Sequence, residues 1–204
     1  MSLDREESRY MPGPEIGSDT VVRDYRAPTP QPATPHPPRN RGREALNRLM
    51  SRQSAWPLTE PPPTSQEMRR ILGAALCAPD HGQLRPWRFV IIRGEARAAL
   101  GEVFVAAAHA RDPGDNAERF RSKAFAAPLV IALVANVRSG HKVPVQEQIL
   151  SAAAGVMNVL NALHLLGYGG FWATGRNSHD VMVHDALGLS ESEHLLGFLY
   201  IGTP

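Results

Sequence analysis

The chain has 204 residues, with 22 Lys and Arg against 20 Asp and Glu, a net charge of +2 and no run of five or more basic residues, so its charge gives no case for nucleic acid. The single Cys77 rules out an intrachain disulfide framework and argues for a reducing compartment, which makes a cytoplasmic address the expectation. Eight of the 18 prolines fall in residues 1–40, leaving one globular unit over residues 41–204, large enough to bury a core without a structural metal or disulfides.

Residues 1–40 combine Pro, Arg, Ser and Thr with few large apolar groups, so burial cannot offset their ordering entropy, and a disordered tail is expected. They lack the apolar stretch of a secretory signal. From Glu44 onward, Ala45, Leu46, Leu49 and Met50 recur at helical spacing, predicting a first helix that ends near Ser51. Pro61, Pro62 and Pro63 form a stiff connector. Thr64 and Glu67 then make a Thr-x-x-Glu capping box opening a helix with Met68, Ile71, Leu72 and Ala75, which stops at Pro79.

A strand is predicted over 87–92, an Ala-rich helix over 94–110 and a short helix over 118–123. The wholly apolar run 129–134 suits a strand covered on both faces. A long helix follows over 144–166, then a strand over 170–174, a helix over 178–187 and a last strand over 195–201. Residues 149–175 contain no Asp, Glu, Lys or Arg and exceed the roughly 20 residues a bilayer needs. Their Ser151, Asn158, Asn161 and His164, and the break at Gly167, Gly169 and Gly170, favour a buried helix followed by a strand over a membrane span. Neither strict alternation nor an all-helical pattern results, so the class is α+β with a central sheet and covering helices.

Several motif templates are absent. There is no Gly-rich loop ending in Gly-Lys-Ser/Thr, no Gly-x-Ser-x-Gly elbow and no His-Glu-x-x-His pair. The glycines at 167, 169 and 170 precede a strand, the reverse of the order a dinucleotide-binding turn requires. His179 and His184 are five apart, off the spacing that puts two imidazoles on one helical face, so no metal site is expected. At the end of the first helix, Arg52, Gln53 and Ser54 gather a guanidinium, an amide and a hydroxyl on one turn. This suits a phosphate or another anion, and equally a solvated helix end. Past the second helix, His81 in Ala78-Pro79-Asp80-His81 either faces a ligand or caps the turn.

Taken in order, Arg52-Gln53-Ser54-Ala55, Ala78-Pro79-Asp80-His81, Pro86-Trp87-Arg88-Phe89, His141-Lys142-Val143-Pro144 with Glu147-Gln148, Gly170-Phe171-Trp172-Ala173-Thr174-Gly175 and the closing Gly197 to Pro204 stretch resemble the flavin nitroreductase family, and within it the short YdjA-type subgroup, over residues 44–204. The resemblance implies a nitroreductase-like α+β fold: a mainly antiparallel sheet covered by helices, in a domain-crossed homodimer with FMN at the subunit interface. Arg52, Gln53 and Ser54 would hold the FMN phosphate and ribityl chain. Cys77 and His81 would approach from the other subunit, and Trp172, Ala173 and Thr174 would line the isoalloxazine and ribityl side. NADH or NADPH would be a transient hydride donor in a ping-pong cycle that reduces a small acceptor such as a nitroaromatic or a quinone. No catalytic side chain is implied, because the flavin carries the chemistry. The alternative is an FMN-binding carrier or sensor without turnover. The chain departs from the subgroup at Cys77 and Ala173, where arginine is usual, and at Arg85, where glutamine is usual. A lost charge-assisted contact costs about 1.5–3 kcal/mol unless Arg85 replaces it.

Overall fold

The computed structural model describes residues 39–114 and 116–204. The proline-rich segment expected as a tail therefore lies, apart from residues 39 and 40, outside the described residues. The first helix, α1 (Arg39–Met50), carries the predicted periodic apolar face, yet Leu46, Leu49 and Met50 remain exposed. Thr64 caps α2 (Ser65–Gly73) as predicted: its Oγ1 accepts from the Glu67 N–H, and the Glu67 carboxylate accepts from the Thr64 N–H at 2.8 Å. A 3₁₀ turn, Ala74–Cys77, continues α2 toward Pro79.

The remaining elements are β1 (Trp87–Ile92), α3 (Glu95–Arg111), α4 (Glu118–Arg121) with a 3₁₀ turn at Ser122–Phe125, β2 (Leu129–Asn136) and α5 (Val145–Leu165), then β3 (Gly169–Ala173), a 3₁₀ turn at Arg176–His179, α6 (Val181–Ala186) and β4 (Glu193–Gly202). The four strands form one antiparallel sheet in the order β1-β2-β4-β3. Successive side chains alternate faces. Phe89, Ile91, Ile131 and Leu199 thus join Met68 of α2 and Val156 of α5, whereas Val90, Ile92, Ala132 and Phe198 meet Phe104 of α3, Phe120 of α4 and Val183 of α6.

The apolar run of β2 is explained by this sandwiching, since Leu129 to Ala135 are all buried. Helix α5 differs from the buried helix expected. Ala152, Val156, Val159 and Leu163 face the sheet, but Leu150, Met157 and Leu165 form an exposed apolar stripe at spacings of seven and eight. At its N-terminal end Gln148, 1 % exposed, donates to the carbonyls of Val143 and Arg138 and accepts from the Arg138 N–H at 2.8 Å, so its burial is fully matched by hydrogen bonds.

Candidate functional site

Strand β3 is the outer strand on the β4 side of the sheet, and a cavity lies at each of its ends. The smaller one, about 140 Å³, is bounded by Arg52, Gln53, His164, Tyr168, Gly169 and Gly170. Two glycines are needed there because other parts of the chain press on the strand. A Cβ at Gly169 would collide with Leu58 and Ala55, and one at Gly170 would stand 2.8 Å from Leu160 of α5. The Arg52 turn is tied to α5 by His164, whose Nε2 donates to the Arg48 carbonyl at 2.8 Å and lies 2.9 Å from the Ser51 hydroxyl. That carbonyl only accepts, so Nε2 carries the proton. Ser54 is exposed beside this cavity without lining it.

The larger cavity, about 340 Å³, has walls of Trp56, Phe171, Phe198 and Tyr200 and polar groups from Lys123 and Asn177. Phe171 and Tyr200 are register partners on β3 and β4, and Trp56 packs on both, with ring centroids 5.5 and 6.3 Å away. Burial pushes the Tyr200 phenol up to about 12, so it is a neutral wall at ordinary pH. Ala173 and Thr174 line this cavity. Trp172 does not, because strand alternation puts it on the α5 face, where its indole N–H donates to the Leu196 carbonyl at 3.0 Å.

A bulge makes that contact possible: the β2–β4 register slips between Leu133 and Val134, and Gly197 adopts φ 128°. A Cβ at Gly197 would meet the Ala173 carbonyl at 2.5 Å and the Trp172 indole nitrogen at 2.8 Å. Along β3 the linings of the two cavities meet at the neighbouring residues Gly170 and Phe171.

Cys77 and His81 lie elsewhere. Cys77 is exposed at the end of its 3₁₀ turn, and His81 Nδ1 is 2.8 Å from the Glu147 carboxylate in the first turn of α5. Arg52 and Gln53 sit at the opposite end of that helix, beside Leu160 and His164. At 1.5 Å per residue the His81 end of α5, at Glu147, and the Arg52 end, at Leu160 and His164, are roughly 20–25 Å apart, while the turn that carries Cys77 packs through Ala75 beside Gly155 in the middle of the helix. One chain therefore does not bring His81 and Arg52 to a common ligand. Arg85 shares the loop of His81, its N–H donating to Asp80 at 2.6 Å.

Residues 49–203 match the sequence profile of the Nitroreductase family. The chain is a member of that family. It is thus an oxidoreductase by class, and relatives agree. The Escherichia coli K12 protein named "Putative NAD(P)H nitroreductase YdjA" is 40% identical over 162 residues, 79% of this chain and 88% of that one. Among solved structures, the nitroreductase-like family protein of Bacillus cereus superposes with a TM-score of 0.68 at 20% identity, covering 84% of this chain and 88% of its own. The FMN and NADPH-dependent nitroreductase NfnB of Sphigopyxis sp. strain HMH gives a TM-score of 0.63 at 20% identity over 79% and 87% of the two chains. These two structural likenesses concern the fold.

Sequence reasoning missed several groups that this nitroreductase gathers around its larger cavity, among them Trp56, Lys123, Asn177 and Tyr200. Trp56 directly follows the Arg52-Gln53-Ser54-Ala55 motif and was within reach. Lys123 and Asn177 come from turns far apart in sequence, and only packing joins them. Among the described residues there is no group of three His, Cys, Asp or Glu side chains suited to a metal ion.

Proposed function

We propose that this nitroreductase is an FMN-dependent enzyme that takes hydride from NADH or NADPH and reduces a small acceptor, such as a nitroaromatic or a quinone, by a ping-pong cycle. The observation that carries the reading is the pair of cavities along β3, one walled by aromatic rings and one bordered by a guanidinium. FMN needs both: apolar walls with a few donors for its flat ring, and cationic or amide donors for its phosphate. The larger cavity falls at the lower end of the roughly 300–1,000 Å³ usual for small-molecule sites. The names of the relatives, one an NAD(P)H nitroreductase and one FMN- and NADPH-dependent, point the same way.

In this reading Arg52 and Gln53, with Ser54 beside them, hold the phosphate and ribityl chain, Arg52 supplying a fork of donors. His164 keeps their turn against α5. Ala173 and Thr174 border the ring, Trp56 and Phe171 exclude water from it, and Trp172 contributes by fixing β3 through its bond to Leu196. When bound, FMN supplies the hydride chemistry, and the chain itself supplies no acid, base or nucleophile for that step.

Cys77 and His81 reach the cofactor in a homodimer, each from the partner of the chain that supplies Arg52. The distance of His81 from Arg52 along α5 supports this reading, and the exposed stripe Leu150, Met157 and Leu165, with Leu46 and Met50 of α1, offers apolar surface for a second copy. The globular unit 41–204 is in this reading the FMN-binding domain of a cytoplasmic protein.

The test is an anaerobic visible spectrum of the purified protein with FMN, followed by NADH or NADPH and then a quinone or nitroaromatic. Bleaching of the flavin band and its return with acceptor is the expected result. Bound flavin that neither nicotinamide bleaches would indicate a carrier or sensor instead, and no bound flavin would remove both.

A further inference from the structure

The turn after β3, Arg176–His179, forms one wall of the aromatic cavity and is held from three directions. Arg111, in the last turn of α3, pairs through Nη1 with Asp180 and donates through Nη2 to Asn177 Oδ1 at 3.0 Å. Asp180 also caps α6 by accepting from the Met182 N–H at 3.0 Å. His184 Nε2 donates to the Ser178 carbonyl at 2.9 Å. The Asn177 side chain is therefore both buried, at 7 % exposure, and fixed.

Its orientation follows from chemistry. A guanidinium only donates, so the amide oxygen must face Arg111 and the amide nitrogen must face away from it. That nitrogen has no partner among the described residues, and it is not sealed off either. Among those residues the buried side-chain atoms lacking both partner and solvent are Arg97 Nε and Asn161 Oδ1. Asn177 is one of the residues lining the cavity, and its amide nitrogen, turned away from Arg111, is neither paired nor sealed. A nine-tenths-buried amide that presents donors alone to an aromatic-walled cavity selects a planar ligand with an acceptor atom on its edge.

We propose that Asn177, oriented by Arg111, donates a hydrogen bond to a carbonyl oxygen on the pyrimidine edge of the flavin ring, with Arg111 as its positioning residue. The proposal rests on the FMN reading above. The reduced ring carries more negative charge on that edge than the oxidised ring, so a fixed donor there holds reduced FMN more tightly and raises the midpoint potential.

The test uses the full chain loaded with FMN, comparing wild type with Asn177→Ala, Asn177→Asp and Arg111→Met. Flavin dissociation constants come from fluorescence quenching, midpoint potentials from spectroelectrochemistry, acceptor KM from steady-state turnover with a quinone, and folding is checked by thermal unfolding. Asn177→Ala is expected to weaken FMN about three- to tenfold, the ratio for one neutral hydrogen bond, and to make the potential more negative. Asn177→Asp is isosteric and keeps its contact with Arg111, so it remains folded while presenting an acceptor where a donor stood. It should lower the potential further. Arg111→Met frees the amide to turn and should give a smaller shift in the same direction.

Wild-type protein that binds and reduces flavin, with unchanged affinity and potential in both Asn177 variants, would overturn the proposal and leave the FMN reading intact. A change confined to the KM of the acceptor would overturn it as well, by assigning the donor to that substrate. Wild-type protein that binds no flavin would remove the FMN reading itself.

Discussion

Arg88 of β1 reaches across β2 to Glu193 of β4 in a two-pronged ion pair, Nε to Oε1 at 2.5 Å and Nη2 to Oε2 at 2.8 Å. Burial works to raise the Glu193 pKa, but the hydrogen bonds and charge of Arg88, together with the Ser190 N–H, outweigh it and hold the carboxyl below its ordinary 4.5. The unfolded chain then takes up this proton first as pH falls. The stabilisation is therefore present above about pH 4.5 and is lost as pH drops through the lower folded-state value. Urea unfolding at several pH values should show wild type losing stability as the pH falls below about 4.5. Glu193→Gln should be weaker at pH 7 by about 1–3 kcal/mol, from an imperfectly matched Arg88, and flatter across that window. Parallel curves for the two proteins would show that the pair does not control the acid limb. Gly197 shapes the strand beside the larger cavity. Gly197→Ala forces a side chain into φ 128° and against the Ala173 carbonyl, so it should destabilise by about 1–3 kcal/mol from backbone strain and disturb the Trp172–Leu196 bond. Tryptophan fluorescence and the thermal midpoint should shift together, and a protein unaffected in both would show that the bulge tolerates a Cβ.

Among the elements, α2 was legible to the residue at its start, because a capping box is a local device: Thr64 and Glu67 satisfy each other's backbone donors whatever packs around them. Thr64→Ala should accordingly cost about 0.5–2 kcal/mol by urea unfolding, with no change in flavin binding. An unchanged midpoint would mean that the Glu67 bond to Tyr168, at 3.0 Å, suffices to hold the helix start. Helix α5 was predicted almost to its ends, but which of its faces meets the sheet was not legible. The run without charges from residue 149 onward does not say which side of the helix meets the sheet and which stays open. Its length and mean hydropathy of 1.2 would also suit a membrane span. The buried row of Ala152, Val156, Val159 and Leu163 against the sheet shows how the fold uses it instead.

For the whole molecule, the structure puts His81 and Arg52 at opposite ends of α5, and the proposed function brings both to one cofactor through a second copy. The homodimer proposed above makes a specific prediction. Leu150 is 60 % exposed and makes no part of the sheet-facing core, so Leu150→Asp should leave the protomer folded. Sedimentation should then report a monomer, and FMN should bind more weakly because Cys77 and His81 of the second copy are lost. A dimer of unchanged stability carrying that aspartate would rule out this face as the interface. By itself the sequence determined the order and kind of nearly every element, the wholly buried β2 and the family resemblance, since hydrophobic period, caps and short motifs are properties of neighbouring residues. Tertiary structure decided what distant segments make together. It put Trp172 on the far face from Ala173 by strand alternation, joined Trp56, Lys123 and Asn177 around one cavity, and separated His81 from Arg52 by most of the length of a helix. Those outcomes depend on strand order, register and helix packing, which are settled by long-range burial rather than by any local pattern.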